Sequence, residues 1–138
     1  MTKVSTILLV EDELSITDMY KAQFQASGLK LEIAKNMEEG WQKVEDLKPD
    51  LILLDLILPA KDGSLDPHLR VGFSLLKKIK AHPEYKKIPV VVLSNLDTTK
   101  DRTEAHKLGA IDYAIKAQLL PKEVLDVAKK YLNFKEEK

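Results

Sequence analysis

Five polar residues in this chain each stand at or just past the end of a short apolar run, and their types can handle a phosphoryl group beside a divalent cation. Glu11 and Asp12 follow Ile7-Leu8-Leu9-Val10, and Asp55 follows Leu51-Ile52-Leu53-Leu54. Ser94 closes Pro89-Val90-Val91-Val92-Leu93, and Lys116 follows Ile111-Asp112-Tyr113-Ala114-Ile115. Each has an ordinary reading when taken singly. Acidic residues favour a helix N-terminus, an Asp after a strand caps a turn, and a Lys there is solvated. Gathered at one edge, three carboxylates, a hydroxyl and an ammonium are something else. A purely structural carboxylate at Asp55, at the end of so apolar a run, needs a partner that its sequence neighbours do not supply.

Two carboxylates about 4 Å apart repel by roughly 4 kcal/mol at an effective dielectric of 20. Three cannot all remain ionised without a cation. An all-oxygen, carboxylate-rich donor set favours Mg2+ over zinc, and no cysteine or nearby histidine argues otherwise. Such an ion neutralises an incoming phosphoryl group, Lys116 can hold another of its oxygens, and Ser94 can donate to a third. That leaves the Asp55 carboxylate as nucleophile. The chemistry is phosphoryl transfer.

These residues share an edge only if the runs before them are neighbouring strands. Residues 7–10, 29–34, 51–54, 89–94 and 111–115 read as five strands. Between and after them lie amphipathic helical segments. The first carries Ile16, Tyr20 and Phe24, with Met19 on the same side, and ends at Gly28. The second opens at Asn36 with Glu39 three residues on and a stripe of Met37, Trp41, Val44 and Leu47. The third carries Phe73, Leu75, Leu76 and Ile79 and stops near His82-Pro83. The fourth opens at Thr98 with Asp101 and closes at Leu108-Gly109. The last starts at Pro121 and carries Val124, Leu125, Ala128, Tyr131 and Leu132, and the tail 134–138 reads as a frayed end. Alternating strands and helices predict an α/β, doubly wound parallel sheet covered on both faces. The flavodoxin-like order 2-1-3-4-5 fits best, and ligands in such a sheet bind beyond the carboxyl ends of the strands.

The chain has 138 residues, enough for one domain with a sizeable core. Lysine plus arginine equals aspartate plus glutamate at 22 each, without a dense basic patch, so direct nucleic-acid binding is not expected. Cysteine is absent, which excludes disulfides and thiolate chemistry. The N-terminus is too short before Glu11 for a signal segment, and the longest apolar run, 51–60, is broken by Asp55. A cytoplasmic protein without membrane contact is the expectation. His68, His82 and His106 have no metal-ligand spacing and read as surface residues. The pairs Lys77-Lys78, Lys86-Lys87 and Lys129-Lys130 read as solvated faces.

Four ordered blocks carry a family resemblance. They are Leu8-Leu9-Val10-Glu11-Asp12-Glu13, Leu53-Leu54-Asp55-Leu56-Ile57-Leu58-Pro59, Val91-Val92-Leu93-Ser94, and Gly109-Ala110-Ile111-Asp112-Tyr113-Ala114-Ile115-Lys116. Together they resemble the receiver domains of two-component response regulators, of the stand-alone, chemotaxis-regulator-like kind, and the match covers nearly the whole chain. The resemblance implies that Asp55 is the phosphoacceptor and that Glu11, Asp12, Asp55 and the backbone carbonyl of Ile57 hold Mg2+. It makes Ser94 the hydroxyl switch, Tyr113 the aromatic switch and Lys116 the phosphate-contacting lysine. It further implies a sensor histidine kinase or phosphotransfer protein as donor, and a downstream protein as target. The fourth helix, fifth strand and fifth helix form the face that docks partners or a phosphorylation-dependent second copy. The expected domain spans 1–138 with a core of about 4–133 and no output domain, and it catalyses only its own phosphorylation and dephosphorylation.

Three departures from the family pattern stand out. Ala117 follows Lys116 where a proline in a cis bond is usual, and Asn95 follows Ser94 where a small residue is usual. The connection after Pro59 is long, with Asp62-Gly63 read as the usual turn and 64–70 as an insert. Rival readings fare worse. A flavin or nucleotide binder needs a Gly/Ser/Thr cradle where this chain has Glu-Asp-Glu. A haloacid-dehalogenase-type phosphatase needs a second aspartate at Ile57. A degenerate receiver used only for docking is the remaining alternative.

Overall fold

The structure is a computed structural model that describes residues 4–59 and 70–136, with side chains through Leu132. Its strands are β1 (Thr6–Val10), β2 (Lys30–Ala34), β3 (Leu51–Leu54), β4 (Val90–Ser94) and β5 (Asp112–Ile115). They form one parallel sheet in the order β2-β1-β3-β4-β5, as expected from the sequence. The helices are α1 (Leu14–Ala26), α2 (Met37–Leu47), α3 (Val71–Ala81), α4 (Thr99–Lys107) and α5 (Pro121–Glu136).

Apart from Thr6 at the start of β1 and Ser94 at the end of β4, the central strands are apolar because both faces are covered. Leu8, Val10, Ile52, Leu54, Val90 and Val92 face one core with Val44 of α2, Leu75, Leu76 and Ile79 of α3, and Ala105 of α4. Ile7, Leu9, Leu51, Leu53, Val91 and Leu93 face the other with Tyr20 and Phe24 of α1 and Val124, Leu125, Ala128 and Leu132 of α5. Each buried Val, Leu, Ile or Phe among them contributes about 1.5–3 kcal/mol by leaving water, which makes β1, β3 and β4 a rigid base for whatever follows them.

Local signals set the helix ends. Asn36 Oδ1 accepts from the Glu39 amide at 2.9 Å, and Glu39 Oε1 accepts from the Lys35 amide at 3.1 Å, one residue before the usual capping-box partner. Thr98 Oγ1 accepts from the Asp101 amide at 3.0 Å. Gly109, at φ +106, ends α4 in a conformation that L side chains rarely adopt.

Some expectations need correction. Met19 is 53% exposed and does not share the buried side of α1, because the stripe there is carried by Tyr20 and Phe24. Ile111 precedes β5 and is exposed, its amide donating to the Val90 carbonyl. His82 is half-buried, its ring stacked on Tyr85 at 4.2 Å beside Trp41. Lys78 lies over the Trp41 ring at 4.4 Å, so it covers an aromatic cluster that includes His82. His68 and residues 64–69 of the expected insert lie outside the described residues.

Candidate functional site

Strand register brings the chemistry together. Val10 pairs with Leu54, so Glu11 and Asp55 leave neighbouring strands side by side. Ser94 pairs with Ile115, which sets Lys116 at the next position. Glu11, Asp12, Asp55, Ser94 and Lys116 then line one open cleft of about 340 Å3, joined by Glu13, Ile57, Asn95 and Leu96. All five sequence-derived candidates, with Ile57, meet there. Tyr113 lies outside the cleft wall, on β5.

One carboxylate oxygen from each of Glu11, Asp12 and Asp55 lies within 4.8 Å of the other two. Glu11 is 1% exposed, and its Oε2 accepts from the amides of Asp12 and Glu13 at 3.1 and 3.2 Å. Its other oxygen faces Lys116 Nζ at 2.6 Å, and the same ammonium reaches Asp55 Oδ2 at 3.0 Å. The remaining Asp55 oxygen, Oδ1, accepts from the Ile57 amide at 3.1 Å. Burial, and next the Asp55 charge, push Glu11 up to about 7 despite the opposing pull of Lys116. For Lys116, burial works against the ammonium, but the Asp55 charge and the Glu11 hydrogen bond outweigh it and raise its pKa. Among the described residues, one cation thus faces three carboxylates. Negative charge is in excess, and the donor set of carboxylate oxygens around open space fits a hard divalent cation.

The Lys116–Ala117 bond is trans, since no cis bond occurs among the described residues. Lys116 opens a short 3-10 turn, Lys116–Gln118, and still reaches the carboxylates from it. Asn95, which stands after Ser94 where a small residue is usual in the family, accepts a hydrogen bond from the Ala117 amide at 2.7 Å through its Oδ1.

Ser94 is fully buried, and its Oγ accepts from the Leu96 amide at 3.3 Å. The Leu96 carbonyl in turn accepts from Tyr113 Oη at 2.6 Å. A short relay of two hydrogen bonds therefore joins Ser94 to Tyr113 through one residue. The Arg102 guanidinium lies 5.1 Å from the centre of the Tyr113 ring.

Two features escaped the sequence reading. A Cβ on Gly72 would lie 2.4 Å from the Asp55 carbonyl oxygen and 2.6 Å from the Leu56 Cα, so α3 starts directly against the backbone of the phosphoacceptor candidate. The Gly72 amide also donates to the Leu56 carbonyl at 3.0 Å. A glycine immediately before the apolar stripe of α3 was the available signal. Arg70, read as the last residue of the insert, holds Asp101 at 2.6 Å through Nε and so ties the start of α3 to the first turn of α4. Asp101 also accepts from Thr98 Oγ1 at 2.7 Å. No sequence spacing announces that pair.

Residues 7–126 match the response regulator receiver domain. The chain belongs to that family. As a receiver it is 34% identical over 113 residues to a gliding motility regulatory protein of Myxococcus xanthus, covering 82% of this chain and 13% of that protein. It is 31% identical over 110 residues to the uncharacterized transcriptional regulatory protein YclJ of Bacillus subtilis, covering 80% of this chain and 43% of that protein. This receiver therefore spans less than half the length of these relatives. Its fold matches the crystal structure of a CheY-like response regulator receiver domain protein from Methanospirillum hungatei, with a TM-score of 0.83, 26% identity and 98% of both chains covered. No helix among the described residues of the receiver is long and apolar enough to cross a membrane.

Proposed function

We propose that this receiver accepts a phosphoryl group on Asp55, with Glu11, Asp12, Asp55 and the Ile57 carbonyl holding Mg2+, and passes the change to a partner through α4, β5 and α5. The observation that carries this reading is the Lys116 ammonium placed on Asp55 and Glu11 at once, beside a third carboxylate. When bound, the ion supplies positive charge that offsets the phosphoryl oxygens as they approach the carboxylates.

The chain's own residues do the rest. Lys116 holds one oxygen of the Asp55 carboxylate, the nucleophile of this reading, at 3.0 Å. A carboxylate oxygen of Asp55 bonds to phosphorus as the bond from phosphorus to the donor breaks, and the donor leaves with that electron pair. Lys116 and the Ser94 hydroxyl hold oxygens of the transferred group. That group carries a charge of about −1.5 to −2 and strong acceptor oxygens. Ser94 turns toward it, which disturbs the Leu96 amide bond and, through the Leu96 carbonyl, releases Tyr113 Oη. Tyr113 and the first turn of α4 then repack together, changing the face offered to a downstream protein or a second copy.

Receivers as a class exchange signals with kinases and downstream targets, so a sensor histidine kinase or phosphotransfer protein, working in the cytoplasm, is the fitting donor. The receiver acts on no other substrate in this reading and catalyses only the gain and loss of its own phosphoryl group. A docking module that never accepts phosphate has no use for a lysine bridging two buried carboxylates. Intact mass after incubation with Mg2+ and a small-molecule phosphodonor tests the proposal. A gain of one phosphoryl group in the native chain and none in Asp55→Asn is the expected result, and no gain in either overturns it.

A further inference from the structure

The most informative hydrogen bond outside the acidic cluster joins the residues that follow Ser94 and Lys116. Asn95 Oδ1 accepts from the Ala117 amide at 2.7 Å, spanning the loops after β4 and β5. That amide belongs to the peptide unit whose carbonyl is Lys116's own. The Lys116 carbonyl accepts from the Leu119 amide at 3.3 Å. Both polar ends of this one peptide unit are therefore held, and its plane sets the direction in which the Lys116 side chain leaves the backbone. Lys116 is 8% exposed and must thread to Glu11 and Asp55 at 2.6 and 3.0 Å.

We propose that Asn95 is the positioning residue for Lys116, its side-chain carbonyl fixing the Lys116–Ala117 peptide so that the ammonium bridges Glu11 and Asp55. The role follows from alanine at position 117. Alanine brings an amide donor and a backbone freedom that a proline lacks, and the Asn95 acceptor uses the first to restrict the second. It also ties the residue after Ser94 to the residue after Lys116, so the two groups that meet the phosphoryl oxygens are set by one bond. The inference rests on the receiver reading above but makes a claim about the unphosphorylated chain as well.

Asn95 and Ala117 are both exposed, so substitution at 95 leaves the two cores intact. Asn95→Leu keeps the volume and loses the acceptor, while Asn95→Ala loses both. The first readout needs no phosphorylation. It is the side-chain nitrogen resonance of Lys116 in Mg2+-free protein, assigned by its disappearance in Lys116→Met. Both Asn95 variants are expected to move it toward the position of the solvated lysines, with a smaller fall in thermal midpoint than Lys116→Met shows. The second readout is the rate of phosphoryl gain from a small phosphodonor. A single hydrogen bond predicts a fall of about threefold to tenfold in both variants, and none when the same changes are made in the Lys116→Met background.

A Lys116 resonance that stays in place in both variants overturns the proposal. So do rates that rise with Ala and fall with Leu, since these mark Asn95 as an obstruction to access. If the native chain gains no phosphate while the Lys116 resonance still moves, the phosphoacceptor reading fails and the positioning role stands.

Discussion

Lys116 and Asp55, 61 positions apart in the chain, meet as a buried ion pair at 3.0 Å. The same ammonium also serves Glu11, so removing it strands two carboxylates at once. Breaking a buried pair from one side usually costs 3–5 kcal/mol, and Glu11 softens the loss by taking up a proton. Lys116→Met is therefore expected to lose roughly 3 kcal/mol in urea unfolding at neutral pH without Mg2+. A loss under about 1 kcal/mol, the size of a surface pair, shows that the bridge carries little.

Divalent cation binding has a matching signature in stability. A ligand that binds only the folded chain stabilises it by about 1.4 kcal/mol at ten times its Kd. The thermal midpoint of the native chain is expected to rise with Mg2+ and to fall back when the ion is removed by a chelator. Asp12, half-buried and outside the Lys116 bridge, can be changed to Asn without breaking that pair. Asp12→Asn should abolish most of the Mg2+ response. A full response in that variant places the ion elsewhere.

Gly72 and Gly40 offer a paired test of how α3 locates Asp55. A Cβ at Gly72 meets backbone, the Asp55 carbonyl oxygen at 2.4 Å, whereas one at Gly40 meets the tip of Leu75 at 2.9 Å. A flexible side chain can yield, and a strand end cannot. Gly72→Ala should cost about 1–3 kcal/mol or more through overpacking and slow phosphoryl gain. Gly40→Ala should cost clearly less, helped by the helix preference of alanine. Equal losses in denaturant titrations count against a backbone role for Gly72.

The sheet order and the acidic cluster were legible because both follow from short-range signals. Apolar runs of β-branched residues and leucine mark doubly covered strands, and parallel strands deliver their C-terminal residues to one edge. Asn36 and Thr98 were readable as caps for the same reason, since the bond is local. Met19 misled because helical spacing alone does not say where the apolar stripe ends. His82 misled because its burial depends on Tyr85 and Trp41, and Trp41 lies on another helix. Arg70–Asp101 and Asn95–Ala117 join residues 31 and 22 positions apart and leave no periodic trace.

Alkaline stability depends on the tyrosines. Burial first, then the Asp101 charge, push Tyr113 up to about 12. Burial first, then the hydrogen bond from Tyr131 Oη to Asp112 at 2.6 Å, push Tyr131 up to about 12. The folded pKa lies above the ordinary value near 10, so the neutral phenols are favoured in the folded chain. Their contribution is complete below pH 10 and is lost as pH rises through 12. Tyrosinate absorbance from these two should lag well behind that of the unfolded chain, and Tyr131→Phe should remove one lagging group. Two groups titrating at 10 while near-UV circular dichroism stays native would falsify this.

The lifetime of the phosphoryl group follows from what two described residues of the cleft, Ile57 and Leu96, do not supply. Hydrolysis of an acyl phosphate needs a water aligned with phosphorus, and a positioned acid or base there is worth about 10²–10⁴-fold. The positions two residues past Asp55 and two past Ser94 are Ile57 and Leu96, and both line the cleft. Neither side chain can hold a water. Lys116 is the one cation among the described residues that line the cleft and is already engaged with two carboxylates, so it makes a poor base. Slow loss of phosphate is therefore expected from the isolated chain in Mg2+ once the donor is removed. Ile57→Gln and Leu96→Gln each place an amide where a water can be oriented, and each should speed the loss by about tenfold, below the full effect of a general base. The comparison is made by intact mass over time. If the native chain loses its phosphate as fast as either glutamine variant, another group orients the water, and Glu13 at the cleft rim is the next residue to change.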